Sequence, residues 1–169
     1  MAGAARKKKT NTRPHAAAQN RGRKPFEIRR SKIQGRGIFA TRKIRAGTLL
    51  IEYRGERISD EEADRRYPFN EDERHHTFLF RLADGSVIDA GVNGNAAKYI
   101  NHSCDPNCEA VEEDNQILIY ALRDIRKGEE LVYDYNYILD EPHNAANKKL
   151  YPCHCGTAKC RGTILAKKR

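Results

Sequence analysis

No stretch of this 169-residue chain is apolar for long enough to span a bilayer. The first residues are charged with no apolar run behind them, so no secretory signal is visible. No segment repeats. The one glycine-rich turn, Gly35-Arg36-Gly37, lacks the lysine arrangement of a phosphate loop and opens no long helix, so neither nucleotide fingerprint fits. Five cysteines, an odd number without an export signal, argue against a disulfide framework and for metal ligation or free thiols. These absences predict an intracellular protein with no membrane partner. The length suffices for one domain with a real core plus flexible ends.

Acidic residues are missing from one region in particular. Residues 1–24 carry eight Lys or Arg and no acid, and residues 167–169 add three more cations. Residues 25–166 then hold 21 basic and 23 acidic residues, so the folded body is slightly acidic and the net charge of +9 belongs to the ends. Such a body suits a cationic polypeptide substrate, and the tails suit a polyanion. Residues 1–24 have almost no apolar periodicity and read as a disordered basic tail, either solubilising or a DNA tether through phosphate contacts. Arg21-Gly22-Arg23-Lys24-Pro25 resembles the minor-groove hook of some chromatin proteins.

From Phe26 the pattern becomes that of short strands. Phe26 to Ile28 alternates, Gly35-Arg36-Gly37 is a turn, and Ile38-Phe39-Ala40 resumes an apolar run. Leu49 to Tyr53 reads as a buried strand. Ser59 caps a helix that ends before Pro68. Residues 70–76 read as a loop. Residues 77–82 and 86–89 form a hairpin across Ala83-Asp84-Gly85, and residues 108–111 and 116–122 form another. Residues 130–135 are the last strand, and 136–151 read as loop. The fold class is mainly β.

The chain is organised around Asn101-His102-Ser103-Cys104-Asp105-Pro106-Asn107-Cys108. Asp-Pro-Asn is turn chemistry, and the residue before a proline is pushed out of the helical region. A helix-capable run, residues 95–100, thus delivers the chain into a polar, cysteine-bearing loop. Near the end, Cys153, Cys155 and Cys160 bring three thiols within eight residues. Reduced structural cysteines are the plain reading. A tetrahedral zinc site needs a fourth ligand, for which Cys104, Cys108, His154 and His143 are the candidates. A ligand from the central loop would pin the C-terminal tail against it, and metal binding would order a segment too small to bury its own core.

Gly35-Arg36-Gly37-Ile38-Phe39, the Asn101 to Asn107 run, Gly128-Glu129-Glu130-Leu131-Val132-Tyr133-Asp134-Tyr135 and the terminal cysteines, in this order, resemble the SET-domain protein-lysine methyltransferases with a post-SET zinc tail, with a trithorax-like flavour. The resemblance covers roughly residues 26–165. It implies small curved sheets, a C-terminal segment threaded through a loop as a pseudoknot, a SET domain over 25–140 and a zinc-binding tail over 141–169. It also implies methyl transfer from S-adenosylmethionine to a lysine of a basic protein, histone or histone-like. The setting would be the nucleus or chromosome in a eukaryote, and the cytoplasm or nucleoid in a bacterium.

Carried over by position, the resemblance implies that Arg36 and Gly37, with Gln34 alongside, approach the cofactor. Asn101 and His102 would hold its adenine and amino-acid parts, and His154 would meet it through the backbone. Phe78 stands near the cofactor where close relatives have tyrosine, and Lys98 stands where relatives often have arginine. Tyr53, Phe80 and Tyr133 would line the lysine channel, with Tyr135 the catalytic tyrosine beside Tyr133. Cys104 would be the fourth zinc ligand with Cys153, Cys155 and Cys160, leaving Cys108 free. The rival readings are a catalytically silent SET-like module that binds chromatin or a partner, and a small zinc-tethered DNA-binding module. The first is disfavoured by the presence of Tyr135 and the Asn-His pair. The second is disfavoured by a body that is not basic.

Overall fold

The computed structural model describes residues 24–68 and 78–167. The sequence readings on residues 1–23, on the 70–76 loop, on Thr77 and on the last two residues lie outside the described residues. The described chain is mostly strand, laid out as three small sheets with few helices. Its strands are β1 (Phe26–Arg30), β2 (Arg36–Ala40), β3 (Leu49–Tyr53), β4 (Glu56–Ile58), β5 (Leu79–Arg81), β6 (Val87–Asp89), β7 (Asn101–His102), β8 (Cys108–Glu113), β9 (Gln116–Ala121) and β10 (Glu130–Tyr133). One sheet has the order β1-β2-β10-β7, the second β3-β9-β8 and the third β4-β6-β5.

Turn chemistry sets most of the pairings. Asp114 and Asn115 both take positive φ (46° and 59°), the geometry a two-residue hairpin needs, so β8 and β9 pair in register from Glu113↔Gln116 to Cys108↔Ala121. Asn and Asp tolerate that backbone region better than other side chains. The turn between β1 and β2 falls earlier than the glycine pair suggests. Gly35 takes φ +46° and closes it, whereas Arg36 and Gly37 already belong to β2. β3 has the expected bounds but only Tyr53 is buried, with Leu49 52% exposed, because this sheet keeps one face toward water.

Helix α1 (Asp60–Arg66) is capped as its sequence requires. Ser59 Oγ accepts from Glu62 N (3.2 Å), with acids in the first turn and arginines in the last. Arg66 then binds Glu62, Glu56 (2.6 Å) and the wholly buried Asp89 (3.1 Å), fastening the helix to β4 and β6. A second helix, α2 (Ala145–Leu150), lies in the stretch read as loop. It buries no residue, so it has no apolar stripe to detect; Asn144, read as a loop residue, is its cap, accepting from Asn147 N (2.8 Å).

The segment before the central loop is a single 3₁₀ turn, Ala96–Tyr99, capped by Asn95. The loop itself departs from expectation. Asn101 and His102 are a buried strand, β7, parallel to β10. β10 thus lies between β2 and β7, and residues 103–107 close on it: Ser103 N donates to Tyr133 O (3.1 Å) and Asn107 N to Val132 O (3.2 Å). The Asn107 side chain completes the clasp, accepting from Val132 N (2.9 Å) and donating to Glu130 O (2.7 Å). A late strand gripped by an earlier loop is the arrangement that a threaded C-terminal segment needs.

The principal core gathers Ile38, Ala40, Tyr53, Phe80, Leu82, Ile100, Ile117, Ile119, Leu131 and Tyr133 from all three sheets. Beyond β10, the chain returns on itself through bridges Tyr137↔Leu165 and Pro152↔Thr163, with Tyr137 and Tyr151 rings 5.3 Å apart.

Candidate active site

A cavity of about 420 Å³ opens where β7, the end of β10, the 33–36 turn and the C-terminal segment meet. Gln34, Arg36, Phe78, Asn101, His102, Tyr53, Tyr133, Tyr135 and His154 all line it. Two residues expected there from the sequence do not. Phe80 lies behind the wall, 5.4 Å from the Tyr53 ring and 6.3 Å from Tyr133 (centroid distances), and is almost wholly buried. Gly37 faces the interior: a Cβ there would collide with Glu130 Oε1 and stand 3.0 Å from Ser31 Cβ.

The glycine therefore makes room for Glu130, and Glu130 has work of its own. Its Oε2 accepts from Ser31 Oγ (3.0 Å) and its Oε1 from Asn101 Nδ2 (2.8 Å). The same Nδ2 also donates to Gln34 O (3.2 Å) and Arg36 O (3.0 Å). One carboxamide thus staples the 34–36 turn to β7 and β10 and fixes that rim of the cavity. Glu130 belongs to the 128–135 motif, but its contact with Gly37 is a tertiary fact that spacing does not carry.

His102 is the hinge of the opposite side. Its Nδ1 accepts from Tyr135 N (3.1 Å), so the remaining proton of the neutral ring belongs on Nε2. Burial pushes its pKa down to about 4, against the pull of Asp134; the ring is neutral near pH 7. Nε2 lies 3.4 Å from Cys104 Sγ, linking the cavity wall to the cysteine cluster. Asp134 is held instead by Arg161, through paired bonds of 2.6 and 2.9 Å.

The tyrosines form one wall. Tyr133 and Tyr135, on the same face of the chain as their two-residue spacing predicts, have ring centroids 4.9 Å apart, and Tyr135 packs edge-on to His102 at 5.3 Å. Tyr135 Oη donates to Ile100 O (2.9 Å), and Tyr53 Oη to Phe78 O (2.9 Å). Burial pushes all three phenols above their ordinary pKa, helped at Tyr135 by the Glu130 charge. They are neutral hydroxyls, not bases. Lys98 and Tyr99, which also line the cavity, complete it: the Lys98 ammonium lies 5.3 Å from the Phe78 ring and 5.4 Å from Tyr99, and Arg36 covers Tyr99 at 5.7 Å. The sequence reading marked Lys98 but missed Tyr99, Ile33, Pro152 and Ile164, which flank the motifs without belonging to them.

Cys104, Cys153, Cys155 and Cys160 bring their four sulfurs within 4.8 Å of one another, with Cys104 and Cys153 3.7 Å apart. Backbone amides point at them: Arg161 N at Cys104 (3.3 Å), Cys155 N at Cys153 (3.4 Å) and Gly162 N at Cys160 (3.4 Å). Four thiols so gathered, with N–H donors aimed at sulfur, fit a tetrahedral zinc with Zn–S bonds of about 2.3 Å. The other candidates for a fourth ligand are engaged elsewhere. Cys108 is buried with its thiol on the Asn107 carboxamide (3.3 Å). His143 accepts from Leu139 N (3.1 Å) and is 3.0 Å from Ala166 O through its other nitrogen. His154 lines the cavity.

These sheets and this cavity are those of a SET domain. The SET domain family model matches residues 35–136, more than half of the chain, and the chain belongs to that family. It is similar to histone-lysine N-methyltransferase 2B of Homo sapiens, 44% identical over 138 residues, which is 79% of this chain and 5% of that protein. It is also similar to histone-lysine N-methyltransferase trr of Drosophila melanogaster, 44% identical over 139 residues, 79% of this chain and 6% of the relative. A third relative is the H3 lysine-4 specific histone-lysine N-methyltransferase of Neurospora crassa, 40% identical over 147 residues, 84% of this chain and 11% of the relative. The chain thus matches only a small part of the length of each of these relatives. No helix among the described residues is long and apolar enough to cross a membrane.

Proposed function

We propose that this chain is a protein-lysine N-methyltransferase that takes its methyl group from S-adenosylmethionine and modifies a lysine of a basic protein, histone or histone-like. The observation that carries the reading is the wall of three neutral tyrosines, Tyr53, Tyr133 and Tyr135, in the same cavity as Asn101 and His102. The names of the relatives support a histone as substrate and chromatin as the setting. The silent-module alternative has no comparable support.

The cavity's donor set suits the methyl donor. Arg36 and Lys98 offer cations to a carboxylate, Phe78 and Tyr99 offer aromatic faces, and the stapled 34–36 turn, Asn101, His102 and His154 offer polar groups. Gly37 serves by admitting Glu130. When bound, S-adenosylmethionine supplies an electrophilic methyl group on a positively charged sulfur. The chain's part is to present a neutral amine in line with it. An unperturbed lysine has a pKa of about 10.4, so its neutral form at pH 7 costs roughly 4–5 kcal/mol. A channel walled by Tyr53 and Tyr133, with Phe80 packed behind them, lowers that cost by desolvating the ammonium. Among the described residues no carboxylate lines the cavity, and His102 Nδ1 is taken by Tyr135 N, so in this reading the amine's proton leaves to solvent. Tyr135, fixed on Ile100 O, orients the amine rather than deprotonating it.

In this reading residues 25–140 are the catalytic body. Residues 141–169 are a tail held by one zinc on Cys104, Cys153, Cys155 and Cys160, and zinc binding would seat Pro152, His154 and Ile164 on the cavity. Incubation with methyl-labelled S-adenosylmethionine and core histones tests the proposal: label is expected in histone protein.

A further inference from the structure

Outside the cavity, the cations of the folded body are unevenly spread. The loop at residues 42–45 and the loop at 123–127 are far apart in sequence but lie side by side, because Ile44 and Ile125 exchange both backbone hydrogen bonds (2.9 and 2.8 Å). That bridge buries the two isoleucines and turns everything around them outward. Arg42, Lys43, Arg45, Arg123, Arg126 and Lys127 are all exposed there. Two acids stand among them and both are paired, Asp124 with Lys43 (2.8 Å) and Glu129 with Arg123 (2.9 Å). Arg42, Arg45, Arg126 and Lys127 make no ion pair among the described residues. Lys43, Arg123, Asp124, Arg126 and Glu129 line an open depression of about 630 Å³. Six cations against two acids here leave 15 basic against 21 acidic residues for the rest of 25–166, so the patch opposes the body's own charge.

Pro25 lies beside this spot. Thr41 N donates to Pro25 O (2.9 Å), so Pro25 lies beside the start of the 42–45 loop, and Ala40 is bonded to Glu129 and Gly128. Residues 1–24 carry eight further cations in the sequence.

We propose that the paired loops 42–45 and 123–127 form a docking surface for the phosphate backbone of a nucleic-acid duplex. A duplex carries one negative charge about every 1.7 Å, and a cluster of unpaired Arg and Lys releases its counterions on binding. The surface reads no sequence, since phosphate contacts position rather than specify. None of its residues lines the cavity, so binding here leaves the lysine channel open.

The full chain and a variant carrying Arg42→Gln, Arg45→Gln, Arg126→Gln and Lys127→Gln, with residues 1–24 intact, are titrated with a fluorescent mixed-sequence DNA duplex over a range of salt. The variant is expected to bind at least tenfold more weakly at about 150 mM salt, with a log–log salt slope flatter by roughly 0.9 for each phosphate it no longer neutralises. In the unmodified chain, bound duplex is expected to protect Lys43 and Lys127 from acetylation while Lys159 stays reactive. That footprint needs no substitution and reads the surface even where the variant folds poorly. An unchanged salt slope in the folded variant, or full reactivity of Lys43 and Lys127 in the duplex complex, overturns the proposal. So does a polyglutamate peptide that binds the chain more tightly than the duplex, which assigns the surface to an acidic protein.

Discussion

Tyr133 and Tyr135 lie with ring centroids 4.9 Å apart, yet their hydroxyls differ: Tyr135 Oη is bound to Ile100 O, whereas Tyr133 Oη has no hydrogen-bond partner among the described residues. One phenol is fixed and the other is available to a water or an incoming amine. The difference separates two roles. In the proposed reaction, a free hydroxyl at Tyr133 would occupy the space that a methylated amine needs when it turns for a second transfer. The chain is therefore expected to make mainly monomethyllysine. Tyr133→Phe should shift the product toward di- and trimethyllysine without loss of the first transfer. Tyr135→Phe should depress every transfer by roughly a hundredfold, the scale of a missing orienting group. A peptide time course read by mass spectrometry separates the two; an unchanged product ratio in Tyr133→Phe counts against the assignment.

The four-sulfur cluster joins residue 104 to residues 153–160, and His102 bridges it to the cavity. Purified protein is expected to hold one zinc, and Cys104→Ser should lose it as completely as Cys155→Ser. Chelation should weaken binding of the methyl donor at least tenfold, because Pro152, His154 and Ile164 are on the cavity wall. Metal analysis and calorimetry check both statements. Full zinc in Cys104→Ser contradicts the cross-chain site.

Glu130, half-buried, packs against Gly37 and holds the Asn101 carboxamide. In Glu130→Gln, a neutral amide replaces a carboxylate that accepts from both Asn101 and Ser31. A hydrogen bond to a charged group contributes about 1.5–3 kcal/mol, so the KM for the methyl donor should rise roughly tenfold or more while the product ratio is kept. Gly37→Ala should be worse, since the added carbon meets a carboxylate held on two sides. A Glu130→Gln enzyme with native KM contradicts this role for the carboxylate.

The pH profile follows from the phenols. Burial, with Glu130's charge, raises the Tyr135 pKa, so this hydroxyl stays protonated well past the ordinary phenol range. His102 is already neutral above about pH 4. Neither group should bend the profile between about pH 6 and 9, and activity should climb as the substrate amine, with a reference pKa of about 10.4, loses its proton. Initial rates at saturating methyl donor test this. A falling limb below about pH 9, absent in Tyr135→Phe, would show that the phenol ionises.

The chemistry of the site was more legible in the sequence than its packing. The hairpin of 108–111 with 116–122, the Ser59 cap and the two-residue spacing of Tyr133 and Tyr135 are local signals that the structure bears out, though the hairpin turn is Asp114-Asn115 alone, with Glu112 and Glu113 already in β8. What stayed hidden is non-local. Asn101 and His102 look like loop residues because two residues carry no periodicity; they become strand only because β10 arrives beside them some thirty residues later. Gly37 looked like a ligand-facing glycine because nothing local reveals Glu130 behind it. The basic surface was missed because net charge over the body averages loops 42–45 and 123–127 with the acids elsewhere. Helix α2 was missed because it buries nothing.

The most direct test of the central claim is mass mapping of core histones after incubation with the zinc-loaded chain and methyl-labelled S-adenosylmethionine, with Tyr135→Phe in parallel. The expected result is label on a lysine ε-amine, predominantly as monomethyllysine, reduced roughly a hundredfold by the substitution. Absence of methyllysine from chain that binds the methyl donor, or equal labelling by Tyr135→Phe, would contradict it.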